Sequence, residues 1–277
     1  MSNKGLKRNT LDKFYTKPEI ADRCVKLFQK YIFNNDVITD DNIVIEPSAG
    51  NGSFISFIKK ICKNAYFYDI VPEHNLIQQQ DFLELDFKMF ETKKIHIIGN
   101  PPFGRQSSTA IKFIKKACTL ADSVSFILPK SFKKDSLKKH IPLVYELVHE
   151  YDIEDNSFLI NNENHNVPCV YQIWRRLNIG FRTVVDKFEP INYKFVKKDE
   201  NPDFSLRRVG FYAGKVCIDF TDKSIQSHYF IKILIPIDLL KLEECLNTCL
   251  VFEKDNTVGP KSISKQEVIV ALNCYMV

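Results

Sequence analysis

Residues 95–104 have the sequence IHIIGNPPFG, an apolar run that leads into a turn. The mostly β-branched run predicts a strand buried on both faces, which is typical of a parallel sheet. Pro101 and Pro102 stiffen the turn and lack N–H donors, so neither a strand nor a helix continues through them. Asn100 supplies a side-chain carbonyl and Phe103 a flat ring. We therefore interpret the turn as a cradle for a planar group that bears an NH2.

The composition is that of a globular protein, with 44% hydrophobic and 26% charged residues. The 277 residues suit one full α/β domain with a smaller appendage. No apolar run approaches the roughly 20 residues of a membrane span, and the basic start lacks an apolar segment behind it. We therefore expect a soluble, intracellular protein, cytoplasmic or nuclear. The eight cysteines have neither a CxxC pair nor ligand-spaced histidines, so no metal and no disulfide framework is expected.

Two strand-and-turn segments upstream predict a ligand pocket. Asn42–Glu46 is a first parallel strand, and the small residues at 47–53 let the backbone approach a ligand closely. This turn lacks the third glycine of a dinucleotide fingerprint and the Gly-Lys-Ser/Thr of a phosphate loop, so NAD and ATP are not favoured. Asp69 ends the second strand, where a doubly wound fold holds ribose hydroxyls. A turn aspartate ahead of Pro72 is the alternative interpretation.

Strands and helices alternate over the first 178 residues, which indicates an α/β fold with a mostly parallel central sheet. A helix is predicted after Thr16, which we expect to cap it, with Pro18 in the first turn. A further helix is predicted over 108–120. Ser157–Ile160 and Val167–Arg175 are predicted to form a closing hairpin around a polar link.

Beyond residue 178 the alternation stops. Short β-prone runs at Tyr193–Val196 and Val216–Phe220 are followed by helical patterns over Leu239–Cys249 and Ser264–Asn273. Residues 179–277 therefore predict a small β-rich appendage with a helical tail.

Two basic groups are candidates for contact with nucleic acid. Lys130, Lys133 and Lys134 follow a predicted strand, and a solvated helix face is the alternative interpretation. Arg207 and Arg208 lie among aromatic residues and glycines, a mixture suited to gripping a phosphate backbone and stacking on bases. A plain hairpin with exposed arginines is the alternative there.

The motifs together resemble those of the S-adenosylmethionine-dependent amino-methyltransferases, and more narrowly the adenine-N6 DNA methyltransferases of gamma-like motif order. The resemblance covers residues 11–176 and depends on five segments in this order: Phe14–Pro18, Glu46–Phe54, Asp69, Asp81–Phe82 and Asn100–Phe103. It implies a class I, Rossmann-like methyltransferase domain over residues 1–178 and a substrate-recognition appendage over residues 179–277. Phe103 replaces the more usual tyrosine, and no second stacking aromatic aligns between Ser157 and Gln172.

The resemblance also implies a role for each matching residue. In the catalytic Asn100-Pro101-Pro102-Phe103 turn, Asn100 and the Pro101 carbonyl accept hydrogen bonds from the target amino group while Phe103 stacks on its ring. The implied contacts of the cofactor, S-adenosyl-L-methionine, are Tyr15 and Thr16 at the methionine moiety, Glu46, Ser48, Ala49 and Gly50 at its amino-acid end, Asp69 and Ile70 at the ribose, Asp81 and Phe82 at the adenine, and Asn100. No metal is required, because the methyl donor already carries its leaving group.

The implied reaction is methylation of the N6 amine of adenine in DNA. Methylation of adenine in RNA, structural or cap-adjacent, is the first alternative, because of Phe103 and the small appendage. Methylation of a protein glutamine is another, since the same turn recognises a planar amide, and a non-enzymatic nucleic-acid-binding module is a further one. The Pro168-Cys169 pair resembles the nucleophile of cytosine-C5 methyltransferases, but it lies inside an apolar strand, so a buried cysteine is the better interpretation.

Overall fold

The computed structural model describes residues 14–36, 38–90, 92–160, 163–183, 187–252 and 262–276. The chain divides into two compact units, Met1–Thr183 and Val184–Val277. The strands of the first unit are β1 (Tyr15–Thr16), β2 (Asn42–Glu46), β3 (Ala65–Asp69), β4 (Gln78–Gln79), β5 (Lys94–Gly99), β6 (Ser123–Pro129), β7 (Tyr145–Asp152), β8 (Phe158–Ile160), β9 (Glu163–His165) and β10 (Cys169–Arg176). Its helices are α1 (Pro18–Phe33), α2 (Ile55–Ile61), α3 (Ser108–Ala117) and α4 (Asp135–Lys138).

A seven-stranded sheet in the order β4-β3-β2-β5-β6-β10-β7 forms the centre of the first unit. Neighbouring strands from β4 to β6 are parallel, whereas β10 runs antiparallel to both β6 and β7. The predicted α/β class with a mostly parallel central sheet is thereby confirmed.

Apolar side chains of the central strands alternate between two hydrophobic clusters, as the two faces of a sheet require. In β2, Val44 packs in one cluster and Ile43 and Ile45 in the other. In β5, Ile98 joins the first cluster and Ile97 the second. Helices α1 and α2 contribute to the first cluster and α3 to the second. Because both faces are covered, the strands are continuously apolar, and this is the pattern that made them recognisable.

The prediction that Thr16 caps the first helix is wrong. Lys17 is the N-cap of α1 and makes no side-chain capping hydrogen bond, while Pro18 occupies the first turn as expected. Thr16 belongs instead to β1, which pairs with β8. This pairing places the buried Thr16 side chain against the Asn100 turn.

The predicted hairpin between Ser157–Ile160 and Val167–Arg175 is also wrong. β8 pairs with β1 and β9 in a separate three-stranded sheet, and β10 pairs with β6 and β7. The sequence concealed β7 because polar and apolar side chains are mixed in Tyr145–Asp152 without regular alternation, and all but the first keep some exposure. Asn161 and Asn162, part of the predicted link, lie outside the described residues.

The second unit contains a four-stranded antiparallel sheet in the order β11-β14-β12-β13. Its elements are β11 (Tyr193–Val196), β12 (Phe204–Arg207), β13 (Val216–Cys217), β14 (His228–Ile233), α5 (Leu239–Cys249) and α6 (Lys265–Asn273). A capping box between Ser264 and Glu267 begins α6. The β-rich and helical character expected for this part of the chain is confirmed.

Charge is divided unequally between the units. The sequence from residue 184 onward holds 13 Lys and Arg against 13 Asp and Glu, so the net charge of +5 belongs to the first unit. In the described part of the chain, no helix combines the length and apolar character that crossing a membrane requires.

Candidate active site

The candidate site lies where the carboxyl ends of β2, β3 and β5 meet. The chain runs from β2 outward to β3 and β4, then crosses back to β5 on the other side of β2. Such a switch in direction opens a crevice beyond the strand ends, where α/β proteins bind their ligands. A cavity of about 360 Å³ opens there.

Residues predicted from five separate segments converge on this cavity. It is lined by all of the residues predicted to bind cofactor and by one further residue of the catalytic turn: Tyr15, Thr16, Glu46, Ser48, Ala49, Gly50, Asp69, Ile70, Asp81, Phe82, Asn100 and Pro102. Its volume falls in the range of small-molecule sites. The cavity lining also includes Phe14 and Phe113, which the sequence did not single out as site residues.

Asp69 fixes the turn that follows β2. One oxygen of its carboxylate accepts a hydrogen bond from the Gly50 amide at 2.8 Å, and the other from the Val71 amide at 2.9 Å. Gly50 has a φ of +52°, a left-handed conformation that favours glycine. A carboxylate has about four acceptor sites, so Asp69 retains the capacity to accept bonds from two hydroxyls.

Glu46, at the end of β2, places a buried carboxyl group in the cavity lining. Its side chain is 2% exposed, and its Oε2 atom has no hydrogen-bond partner among the residues that the structure describes. Burial, reinforced by the nearby Asp69 carboxylate, raises the pKa of Glu46 well above its usual range. An orphaned buried acceptor of this kind suits a ligand that brings an ammonium group.

Two aromatic residues of the cavity lining pack together. The buried Phe82 ring stacks on Phe113 with 5.3 Å between centroids, and both rings line the cavity. Asp81 precedes Phe82, and its Oδ1 accepts the Leu83 amide at 2.8 Å. A flat apolar surface beside a carboxylate matches a heteroaromatic ring that carries an amino group.

Asn100 also lines the cavity, and its amide has a defined orientation. Its Nδ2 donates to the Phe14 carbonyl at 3.0 Å and to the Thr16 hydroxyl at 3.2 Å. The reversed amide would place Oδ1 against the Phe14 carbonyl, acceptor against acceptor, so the observed orientation is favoured. Oδ1 is buried and lacks a hydrogen-bond partner in the described ranges. The group that Asn100 presents to a ligand is therefore an acceptor.

Ser48 links the two turns. Its hydroxyl donates to the Asn100 backbone carbonyl at 3.1 Å, so the turn after β2 braces the turn after β5. Ser48 was predicted to contact the cofactor, and this bond gives it a role in positioning the catalytic turn as well.

Phe103, which was predicted to stack on the target ring, packs on another aromatic ring of the protein. Its side chain is 7% exposed and does not line the cavity, and neither does the buried Pro101. The Phe103 ring stacks on Phe14, at 6.1 Å between centroids and 24° between planes. Phe14 in turn stacks on His165, at 5.5 Å and 25°. His165 falls in the 157–172 region, where no aromatic partner had been identified, because its β8–β9 pairing was not visible in the sequence.

The two basic groups lie outside this cavity. Lys130 and Lys133 both pair with Asp152, at 3.4 and 3.0 Å. Arg207 Nε donates to the Val209 carbonyl, and Arg208 Nε donates to the Gln226 carbonyl. The arginines thus brace their own turn, and nucleic-acid contact by either group stays a prediction.

Within the described ranges, no three His, Cys, Asp or Glu side chains converge as a metal site would require. Cys169, the cysteine of the Pro-Cys pair, is buried in β10, and burial raises the pKa of its thiol far above the usual range. A thiol held in this way is a poor nucleophile.

No protein-family model matches the chain. Among curated proteins it is similar to the Protein ENHANCED DOWNY MILDEW 2 of Arabidopsis thaliana, with 24% identity over 287 aligned residues that cover 92% of this chain. The chain spans about a fifth of that protein's length, 20%.

Solved structures with similar folds include a candidate RNA methyltransferase of Pyrococcus horikoshii, with a TM-score of 0.46 and 17% identity, covering 63% of this chain and 92% of the other. The 23S rRNA methyltransferase ErmE has a TM-score of 0.43 and 15% identity, covering 60% and 70%. An rRNA methylase of Streptococcus thermophilus has a TM-score of 0.38 and 17% identity, covering 55% and 96%.

The topology of the sheet identifies the fold independently of these similarities. Five parallel strands, β4 to β6 in sheet order, are followed by the antiparallel strand β10. β10 lies between β6 and the edge strand β7, although it comes after β7 in the sequence. The cavity opens at the switch point beyond the ends of β2 and β5, as expected for a doubly wound sheet. The first unit of this chain has the class I methyltransferase fold.

Proposed function

We propose that this chain transfers a methyl group from S-adenosyl-L-methionine to the exocyclic N6 amine of adenine in nucleic acid. The observation that carries the proposal is the amide of Asn100, whose NH2 is committed to Phe14 and Thr16 while its buried Oδ1 has no partner in the described chain. An acceptor held in this way selects a ligand that donates, and an exocyclic amine is such a ligand.

The cavity suits the cofactor at each of its ends. Glu46 offers a buried carboxyl to the ammonium of the amino-acid end. Asp69 accepts from the ribose hydroxyls while it holds the Gly50 amide. Phe82 packs on the adenine, and Asp81 accepts from its amino group. When bound, the cofactor would supply an electrophilic methyl group on a sulfonium, whose S–CH3 bond breaks to leave a neutral thioether.

The residues of the catalytic turn make the target nitrogen nucleophilic by positioning it. The lone pair of an adenine amine is delocalised into the ring. Asn100 Oδ1 and the Pro101 carbonyl accept its two N–H groups, which favours a more tetrahedral nitrogen with its lone pair directed at the methyl group. The nitrogen gains the methyl group and gives up one proton to solvent, since an amide oxygen is too weak a base to keep it.

DNA is the polymer that the motif order favours, and RNA is the second candidate because Phe103 replaces the usual tyrosine. An adenine that is already unpaired avoids the few kcal/mol, on the order of 3, that extrusion from a duplex costs. The charge distribution supports an unpaired target. The second unit has equal numbers of acidic and basic residues, and Lys130 and Lys133 are neutralised in part by Asp152.

The test is incubation with labelled S-adenosylmethionine and a panel of single-stranded and duplex DNA, RNA and protein, followed by nucleoside and peptide analysis. Label on N6 of adenine supports the proposal, and the preferred polymer decides between DNA and RNA. Label on cytosine, on glutamine or in no component of the panel overturns it. An Asn100→Ala variant in parallel shows whether any label depends on the catalytic turn.

A further inference from the structure

Three aromatic rings from distant parts of the sequence form a continuous stack beside the catalytic turn. Phe14 stacks on Phe103 at 6.1 Å and on His165 at 5.5 Å, with interplanar angles of 24° and 25°. The stack runs from the interior to the surface, because Phe103 is buried, Phe14 is half-buried and His165 is exposed. Near-parallel stacking at these separations is the arrangement that a flat heterocycle also adopts on aromatic rings.

The middle ring, Phe14, belongs to a residue that also bonds the Asn100 side chain. A target base whose amine donates to Asn100 Oδ1 has its ring next to Asn100. The nearest aromatic residue in the sequence of the catalytic turn is Phe103. Phe14 already lies there, since its carbonyl is 3.0 Å from Asn100 Nδ2 and its ring contacts Phe103. Phe14 lines the same cavity as Asn100.

We propose that the ring of Phe14 occupies the place of the target base in a binding slot between His165 and Phe103, the ring that the resemblance already assigns to the base, and that it leaves when a base binds. The inference rests on the proposed function and names the residues that take the base. Only the Phe14 ring has to move, because the bond that orients Asn100 is made by the Phe14 backbone carbonyl. A base can therefore replace the Phe14 ring without a change in the orientation of the Asn100 amide.

The experiment is a fluorescence titration of the full chain with a single-stranded oligonucleotide that carries 2-aminopurine, whose emission is quenched when it stacks. Phe14→Ala empties the slot and is expected to tighten binding about fivefold, while His165→Ala removes a stacking surface and weakens it by about fivefold or more. Phe14→Leu, which keeps a bulky group in the slot, should stay within about twofold of the wild type. Phe188→Ala, at an exposed ring of the second unit, is the control.

Weaker or unchanged binding by Phe14→Ala overturns the exchange, and unchanged binding by His165→Ala removes His165 from the slot. If Phe14→Ala does not fold, the exposed His165 site still decides. Methyl transfer is measured separately on the same variants. If the variants do not change binding as expected but N6-methyladenine is still formed, this inference is wrong and the proposed function stands. If binding changes as expected but no methyl group is transferred, the proposed function is wrong and the binding slot stands.

Discussion

The two halves of the cavity are assembled in different ways. The cofactor half is local, because Glu46, Ser48 and Gly50 lie in one turn and Asp69, which holds that turn, follows 19 residues after Gly50. The target half is not, because Asn100 is oriented by a carbonyl 86 residues earlier in the chain and the aromatic stack ends on His165. The two halves touch through the bond from Ser48 to the Asn100 carbonyl.

In the proposed function, cofactor binding and target activation are therefore separable, and both are built on one sheet edge. A side chain in the cofactor half should change cofactor affinity, and a side chain in the target half should change turnover. Variants on either side of the Ser48 bond therefore test whether the division is real.

The largest effect is expected for Asn100→Ala. The variant removes the acceptor that orients the target amine, so kcat should fall by about a hundredfold or more. The cofactor dissociation constant, measured by titration calorimetry, should stay within about threefold, since Glu46, Asp69 and Phe82 remain in place. Asn51→Ala, at an exposed amide that lines the same cavity, is the control and should retain turnover. A parallel loss of cofactor affinity in Asn100→Ala would break the division into halves.

A smaller effect, on cofactor affinity rather than on turnover, is expected for Asp69→Asn. The asparagine side chain has one oxygen in place of two carboxylate oxygens. Either the Gly50 or the Val71 backbone N–H therefore loses its acceptor, and the ribose hydroxyls lose a charged acceptor. The cofactor dissociation constant should rise about tenfold, with kcat at saturating cofactor within about threefold. Asp86→Asn removes a turn carboxylate that does not line the cavity, and it should change neither quantity. If kcat at saturation falls more than the affinity does, Asp69 belongs to the target half.

Glu46 should couple cofactor binding to pH. Burial raises its pKa, so the ligand-free chain favours the protonated carboxyl, and an ammonium placed beside it favours the ionised form. Binding should therefore release up to about one proton, and affinity should increase with pH through the raised pKa. Calorimetry in buffers of different ionisation enthalpy measures the release, and Glu46→Gln should abolish it. Proton uptake, or no exchange in the wild type, would separate Glu46 from the ammonium.

The central sheet and the cofactor half were predictable because their signals are local. Buried strands such as β2 and β5 are continuously apolar, and the small residues between Pro47 and Ser53 mark a turn at the end of one of them. The resemblance assigned Glu46, Asp69 and Asn100 to one cofactor, and the structure brings them together at the edge where parallel strands end.

The target half was not predictable because it depends on pairings across the chain. β7 mixes polar and apolar residues without regular alternation at the sheet edge, so it was overlooked and its partner β10 was assigned to a hairpin with 157–160. That error hid β9, and with it the contact between His165 and Phe14. Thr16 was taken for a helix cap because hydroxyl residues cap helices, whereas its pairing with β8 makes it a support for Asn100.

The proposed mechanism depends on one hydrogen bond, which Asn100 Oδ1 accepts from the 6-amino group of the target. A double-mutant cycle measures this, with the wild type and Asn100→Ala each titrated with a strand that carries adenine, or purine without its amino group, at the target position. Loss of the amino group should weaken binding to the wild type by about 1 kcal/mol and leave binding to Asn100→Ala unchanged. An equal loss in both proteins would show that Asn100 does not contact the amine and would contradict the proposed mechanism.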